Sequence, residues 1–302
     1  MEFKVYGCRG SSPMPKKEFL GFGGNTSSYT LRTADNTLIF LDAGTGIQYA
    51  QKELDKHSDD IALLFSHMHA DHIMGLGMSM VSYLSVLPDY EDEKVRVIGP
   101  SNTKEALMKY YDGELIWPVK ATSDELEQPR LVGLDIDNLD TIKDKAMFKL
   151  GDTLVNTMQG NHPGGVLLYR FDSESEGKSL VYATDNEFDY LPDGKPNSEV
   201  EPLKKDYRQF IEKADLLVAD AQFTKREYID RGDFHGFGHS YMEQIVELAS
   251  EANVKRLMLT HHGKFRDEFL TKREKQTQKY AEKLGSDLEV MLAKEGMEIV
   301  FE

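Results

Sequence analysis

The stretch His67-Met68-His69-Ala70-Asp71-His72 decides what kind of fold this chain builds and what it holds. It follows an apolar run, Ile61-Ala62-Leu63-Leu64-Phe65, that reads as a buried strand. Four side chains able to bind a metal stand just past that strand, in a chain with only nine histidines among 302 residues. Imidazole and carboxylate are donors that Zn2+, Mn2+ and Fe2+ accept. Crowded together for a purely structural purpose, they would be buried polar groups without partners, at a cost of roughly 1–3 kcal/mol each. A metal site explains the cluster better than a polar surface loop.

The same arrangement recurs along the chain. Asp185 follows Val181-Tyr182-Ala183-Thr184, Asp220 follows Leu216-Leu217-Val218-Ala219, and His261 follows Leu257-Met258-Leu259-Thr260. His162 lies in the turn Asn161-His162-Pro163-Gly164-Gly165, ahead of another strand-like run. Loops at the carboxyl ends of strands are where layered α/β folds place their sites. Each of these residues, taken alone, reads as an ordinary turn or cap residue; the first cluster gives them a common destination.

Short strands are expected at 2–6, 28–31, 37–41, 61–65, 95–98, 166–171, 180–184, 216–219, 256–259, 289–292 and 297–301. Helices are expected at 48–57, 203–213 and 271–284, and after two capping boxes, Asn102 with Glu105 and Ser240 with Glu243. Residues 112–150 read as an excursion with short strands that borders the site; the lone Trp117 in it reads as a packing residue. No repeat, low-complexity tract or linker divides the chain, so residues 1–302 read as one α/β domain. A single cysteine, Cys8, forms no internal disulfide, and no apolar run approaches the roughly 20 residues of a membrane span. A cytoplasmic protein without a membrane partner is expected. The net charge of −16 and the lack of a basic stripe argue against long RNA or DNA as partner and leave small anionic substrates open.

With its supporting segments, the chain resembles the metallo-β-lactamase superfamily. These segments are Gly7-Cys8-Arg9-Gly10-Ser11-Ser12-Pro13, Gly23 to Ser27, Leu41-Asp42-Ala43-Gly44-Thr45-Gly46, Ala183-Thr184-Asp185, Gly238-His239-Ser240 and Thr260-His261-His262. Within that superfamily it is similar to the branch of tRNase Z and cyclic-phosphate phosphodiesterases. The resemblance implies a four-layer αββα sandwich and two divalent metal ions, zinc first, with manganese or iron open. His67, His69 and His162 would hold the first ion, and Asp71, His72 and His261 the second, with Asp185 bridging. Two such ions share a hydroxide that is nucleophilic at neutral pH. His262, beside His261, leaves that ligand position ambiguous, and Asp42 reads as a group orienting the metal loop. Relatives frequently pair, so a homodimer is an option.

His239 speaks to the type of reaction. It directly precedes the helix expected from Ser240, whose positive end favours an anion. An imidazole, with an ordinary pKa near 6.5, suits proton donation to a leaving oxygen. Asp220 is placed to hold its other nitrogen, while His235 is a weaker substitute or a substrate contact. The bland alternative for His239 is a glycine-loop residue that merely caps. A dinuclear metal-dependent phosphodiesterase acting on a small phosphodiester, a cyclic one included, is the leading expectation, with Asp71, Asp220 and His239 as its catalytic residues. One rival is tRNA 3′-end endonuclease; yet residues 101–150, the largest excursion, carry seven Lys/Arg against ten Asp/Glu, where that branch carries a basic arm. Others are hydrolysis of a carboxylic ester, lactone or thioester on the same ions, and a metal-dependent sensor.

Overall fold

The apolar runs become strands because both of their faces are covered. Along β10 (Lys178–Ala183), Leu180 and Tyr182 join one core while Val181 and Ala183 join another. The same alternation runs through β11 (Leu216–Asp220), where Leu216 and Val218 face one way and Leu217 and Ala219 the other. In β3 (Leu38–Leu41) it separates Ile39 and Leu41 from Leu38 and Phe40. Strands buried on two sides carry continuous apolar runs, with no polar face to alternate with.

The computed structural model describes residues 1–56, 58–81, 95–111, 134–231 and 234–302. Two seven-stranded mixed sheets face each other. The first runs β14-β1-β2-β3-β4-β5-β6, with β1 Glu2–Gly7, β2 Ser28–Arg32, β4 Ile61–Leu64, β5 Val95–Gly99, β6 Leu134–Thr141 and β14 Glu298–Val300. The second runs β13-β12-β11-β10-β9-β8-β7, with β7 Met147–Leu150, β8 Thr153–Gly160, β9 Val166–Ser173, β12 Arg256–Thr260 and β13 Glu289–Leu292. One core lies between the sheets. A second packs helices Val200–Phe210, Met242–Glu251 and Asp267–Lys283 on the outer face of one sheet; a third packs Ile47–Ala50 and Thr103–Tyr110 on the other. The layers are therefore α, β, β, α, as the metallo-β-lactamase resemblance implies.

In each sheet four neighbouring strands run parallel, β3 to β6 in one and β10 to β13 in the other. Their register is level: Ala183 pairs with Ala219, Ala219 with Leu259, and Asp220 with Thr260. The chain thus leaves several strands at one height on one edge of the sandwich. Three tyrosines of the inter-sheet core tie the sheets together just below that edge. Tyr182 donates to the Asp42 carboxylate at 2.6 Å, Tyr169 to the Phe65 carbonyl at 2.7 Å, and the Tyr29 and Thr260 hydroxyls share a bond of 2.5 Å.

Several local expectations change. Neither capping box forms: Asn102 makes no side-chain cap, and Glu105 accepts from Lys109 instead. The helix expected from Ser240 begins at Met242, since the Ser240 hydroxyl donates to the Asn186 carbonyl and Glu243 accepts from the Lys225 amide. At Ser240 and Glu243 tertiary partners outcompete the local ones, whereas Glu105 pairs along its own helix with Lys109 four residues on. The helix expected at 48–57 is a short turn, Ile47–Ala50, continuing as 3-10 over Gln51–Asp55. The later helices cover Val200–Phe210 and Asp267–Lys283. Strand β8 and helix Lys225–Arg231 were not expected from the sequence. Of the 112–150 excursion, β6 and β7 are strands, whereas Trp117 lies outside the described residues. Among the described residues no helix is long and apolar enough to cross a membrane.

Replacing Tyr182 by Phe should lower the free energy of urea unfolding by about 1–3 kcal/mol, because it strips a donor from the fully buried Asp42 carboxylate. An unchanged denaturation midpoint would show that this inter-sheet bond carries no stability.

Candidate metal centre and active site

The site forms on the edge where the parallel strands end. After β4 the chain runs through Phe65 and Ser66 to His67; after β10, through Thr184 to Asp185; after β12, directly to His261. Asp42, Asp185 and His261 all take left-handed backbone angles, with φ of 57°, 49° and 58°. Such angles are uncommon for residues other than glycine and are kept where surrounding contacts enforce them. They turn each chain sharply off its strand, so the side chains aim inward across the edge.

Asp185 is the hub. Its Oδ2 lies 3.3 Å from His261 Nε2, 3.4 Å from His72 Nε2, 3.7 Å from His67 Nε2, 3.8 Å from His162 Nε2 and 4.0 Å from His239 Nδ1. On one side of it His67, His69 and His162 form a trio whose ligand atoms lie within 4.8 Å of one another. Asp71, His72 and His261 form a second trio at the same spacing, with Asp71 Oδ2 3.1 Å from His261 Nε2 and 3.5 Å from His72 Nε2. All seven are buried except His69, which sits at the solvent side.

Three of the imidazoles, His72, His162 and His67, are turned by a bond to the outer nitrogen. His72 Nδ1 donates to Asp42 at 2.7 Å, leaving Nε2 toward Asp185. His162 Nδ1 donates to the Gly238 carbonyl at 2.9 Å, which directs Nε2 to His69 Nδ1, also 2.9 Å away. His67 Nδ1 lies 3.1 Å from the Ser66 hydroxyl, which itself donates to Asp42. The Asp42 carboxylate therefore accepts from the Ser66 amide, the Ser66 hydroxyl, the Tyr182 hydroxyl and His72. Burial, then the Asp42 charge, keeps the Tyr182 phenol protonated so that it donates.

The donor set fits a divalent cation. Nε2 of His67 and Nε2 of His72 are buried with no hydrogen-bond partner, although both face the hub. Burial holds His67 and His69 below the ordinary imidazole range and takes His162 down to about 4. On the other side, burial opposes the charged form of His72 and His261, but the carboxylates led by Asp185 outweigh it; His261 rises to about 9. Asp185 and Asp71 stay ionised for the reciprocal reason, neighbouring imidazoles overcoming the cost of burial. A buried group of carboxylates and lone pairs collects positive charge, as protons or as metal.

His261 and His262 point in opposite directions, and it is His261 that faces the hub. His262 turns away, donates Nε2–H to the Ala293 carbonyl at 2.8 Å, meets the Phe22 ring edge-on, and is held neutral by burial at about 3. His261 is closed in by Gly10, where an added Cβ would fall 2.3 Å from its Nδ1.

His239 stands beside the hub, its Nδ1 3.3 Å from Asp220 Oδ2. The same oxygen accepts the Ser240 amide at 3.1 Å, and the other Asp220 oxygen lies 3.6 Å from His261 Nδ1. With the helix starting at Met242, Asp220 rather than a helix end orients this imidazole. His235 bonds the Tyr228 carbonyl through Nε2 at 3.0 Å and stacks on Tyr190, which turns it away from the hub. A cleft of about 640 Å3 opens over these groups, lined by Ser11, His69, Asp71, His162, Asp185, His239 and His261, with the exposed Phe237 at its mouth. Residues whose part sequence reasoning missed are Ser66, Tyr182 and Gly238. Only the Gly-Phe-Gly pattern at 236–238 offered a signal, two glycines allowing a tight turn next to His239.

Replacing Asp42 by Ala should weaken metal binding about 10- to 100-fold in chelator-competition titrations, since His72 and Ser66 lose the group that orients them. Equal affinity in the two proteins would remove Asp42 from the site's support.

The family model "Beta-lactamase superfamily domain" matches residues 37–262. The chain is 26% identical to the ribonuclease Z of Lactiplantibacillus plantarum over 313 residues, covering 91% of this chain and 94% of that one. Yeast PDE1 superimposes with a TM-score of 0.67 at 16% identity, over 99% of both chains. The short form of human tRNase Z does so with a TM-score of 0.64 at 17% identity, over 100% of both. The family match spans the strand ends, the paired trios and Asp185 alike, and the chain belongs to the metallo-β-lactamase superfamily.

Proposed function

We propose that this hydrolase is a metal-dependent phosphodiesterase that cleaves a small anionic phosphodiester. His67, His69 and His162 would hold one divalent ion and Asp71, His72 and His261 a second, with Asp185 facing both. Zinc is the first candidate, and the nitrogen and oxygen donors also accept manganese or iron. When bound, such a pair supplies a water of lowered pKa and polarises a phosphoryl oxygen.

The observation that carries the reading is the Asp220–His239 pair beside the hub. A phosphodiester leaves behind an alkoxide, which needs a proton at the moment of bond breaking. His239 has one nitrogen occupied by Asp220 and its ring on the cleft, so its Nε2 is the atom from which that proton moves to the leaving oxygen. Asp220 holds the ring against rotation. Asp71 takes a donor from the Ser11 amide at 2.8 Å as well as its place in the second trio, which fixes the carboxylate on the cleft floor. An activated carboxylic ester expels a stable leaving group and has less need of this acid.

A second reading, tRNA 3′-end endonuclease, is favoured by the near full-length similarity to a ribonuclease Z. Against it stand the net charge of −16 and a cleft with no Lys or Arg among its described lining residues. A polyanion gains most of its affinity from such cations.

Replacing His239 by Ala should lower kcat on a 2′,3′-cyclic nucleotide by roughly 10²- to 10⁴-fold while sparing hydrolysis of an aryl acetate. Equal losses on both, or loss on the acetate alone, would refute the phosphoryl assignment. Cleavage of a precursor tRNA with kcat/KM well above that for the cyclic nucleotide, falling steeply with salt, would move the assignment to the second reading.

A further inference from the structure

Two loops carry the groups that must meet across the cleft: residues 161–165 bring His162, and residues 234–239 bring His239. Neither has regular structure of its own, and both are tied to the segment that follows β10. Asn186 accepts the Asn161 amide on its side chain at 2.7 Å and the Ser240 hydroxyl on its carbonyl at 2.5 Å. Glu187 does more. Its backbone exchanges bonds with Asn161, amide to carbonyl at 3.0 Å and carbonyl to side-chain amide at 2.9 Å. Its side chain, 1% exposed, accepts the Gly236 amide at 3.1 Å, the Gly238 amide at 2.7 Å and the Tyr228 hydroxyl.

Those two glycines make the loop what it is. Both take positive φ, 82° at Gly236 and 86° at Gly238. A Cβ on Gly238 would fall 1.9 Å from His162 Nδ1, the atom its carbonyl receives. One carboxylate therefore gathers two consecutive turns of backbone and sets the height of the Gly238 carbonyl. That carbonyl turns His162, and the next residue is His239.

We infer that Glu187 is a positioning residue that couples His162 to His239 by clamping the 234–239 loop. It touches neither, and nothing in the proposed chemistry passes through it. Without the carboxylate, two buried amides lose their acceptor, and the Gly238 carbonyl is free to leave His162 while His239 leaves Asp220. The inference rests on the phosphodiester reading for its catalytic half only.

The test uses purified metal-loaded protein with Glu187→Ala and Glu187→Gln. Gln keeps one acceptor oxygen for the loop and should recover part of what Ala loses. On methyl p-nitrophenyl phosphate and methyl phenyl phosphate, whose leaving groups differ in their need for a proton, Glu187→Ala should lose about tenfold more kcat on the phenyl ester. KM should stay within about twofold on both. Independently of turnover, Co2+ titration followed by its visible spectrum should show affinity about 10- to 100-fold lower, with an altered band shape from a displaced His162. Equal loss on the two esters with unchanged Co2+ binding would overturn the clamp. So would Gln behaving no better than Ala in a protein whose melting temperature matches the wild type. If the wild type cleaves neither ester, the phosphodiester reading falls, and the Co2+ titration alone decides whether Glu187 positions His162.

Discussion

The rest of the structure depends on a buried carboxylate, Asp185, held within 4.0 Å of five imidazoles. A charge in that position is costly unless it is surrounded by groups that answer it. The answer cannot come from one segment, because no stretch of chain bends tightly enough to put five rings around one atom. It comes from the sandwich. Two parallel half-sheets end at the same edge, and the inter-sheet tyrosines fix one edge against the other. Tyr182 shows how closely fold and site are joined, since one end of it fills the core and the other donates to the carboxylate that turns His72.

Left-handed backbone at Asp42, Asp185 and His261 follows from the same requirement. A side chain leaving a strand in the extended conformation points above or below the sheet; turning it across the strand end needs a reversal within one residue. Glycine would make that turn without strain but brings no ligand. The chain accepts the unfavourable angle where the side chain is indispensable, and puts glycine where only backbone is wanted, as at Gly238.

How much of this was legible in the sequence follows from what kind of interaction is local. His67 to His72 announced themselves because four donors share one turn, and Asp185, Asp220 and His261 because each follows a run buried on both faces. Strand positions held to within a residue or two for the same reason. The capping boxes at Asn102 and Ser240 failed because a spacing in sequence says nothing about a competing partner: Ser240 lies against the Asn186 carbonyl, 54 positions away. Glu187 carries no pattern at all. Its partners, Asn161, Tyr228, Gly236 and Gly238, come from three other segments, and only the folded chain brings them to it.

Asp220 then explains why His239 and the second trio are not independent. One oxygen serves His239 and the Ser240 amide, and the other sits 3.6 Å from His261 Nδ1. The stacked rings of His239 and His261, with centroids 4.8 Å apart, put two imidazoles under one carboxylate. A displacement of that carboxylate would therefore disturb both rings at once, and with them the acidic and the imidazole groups of the second trio.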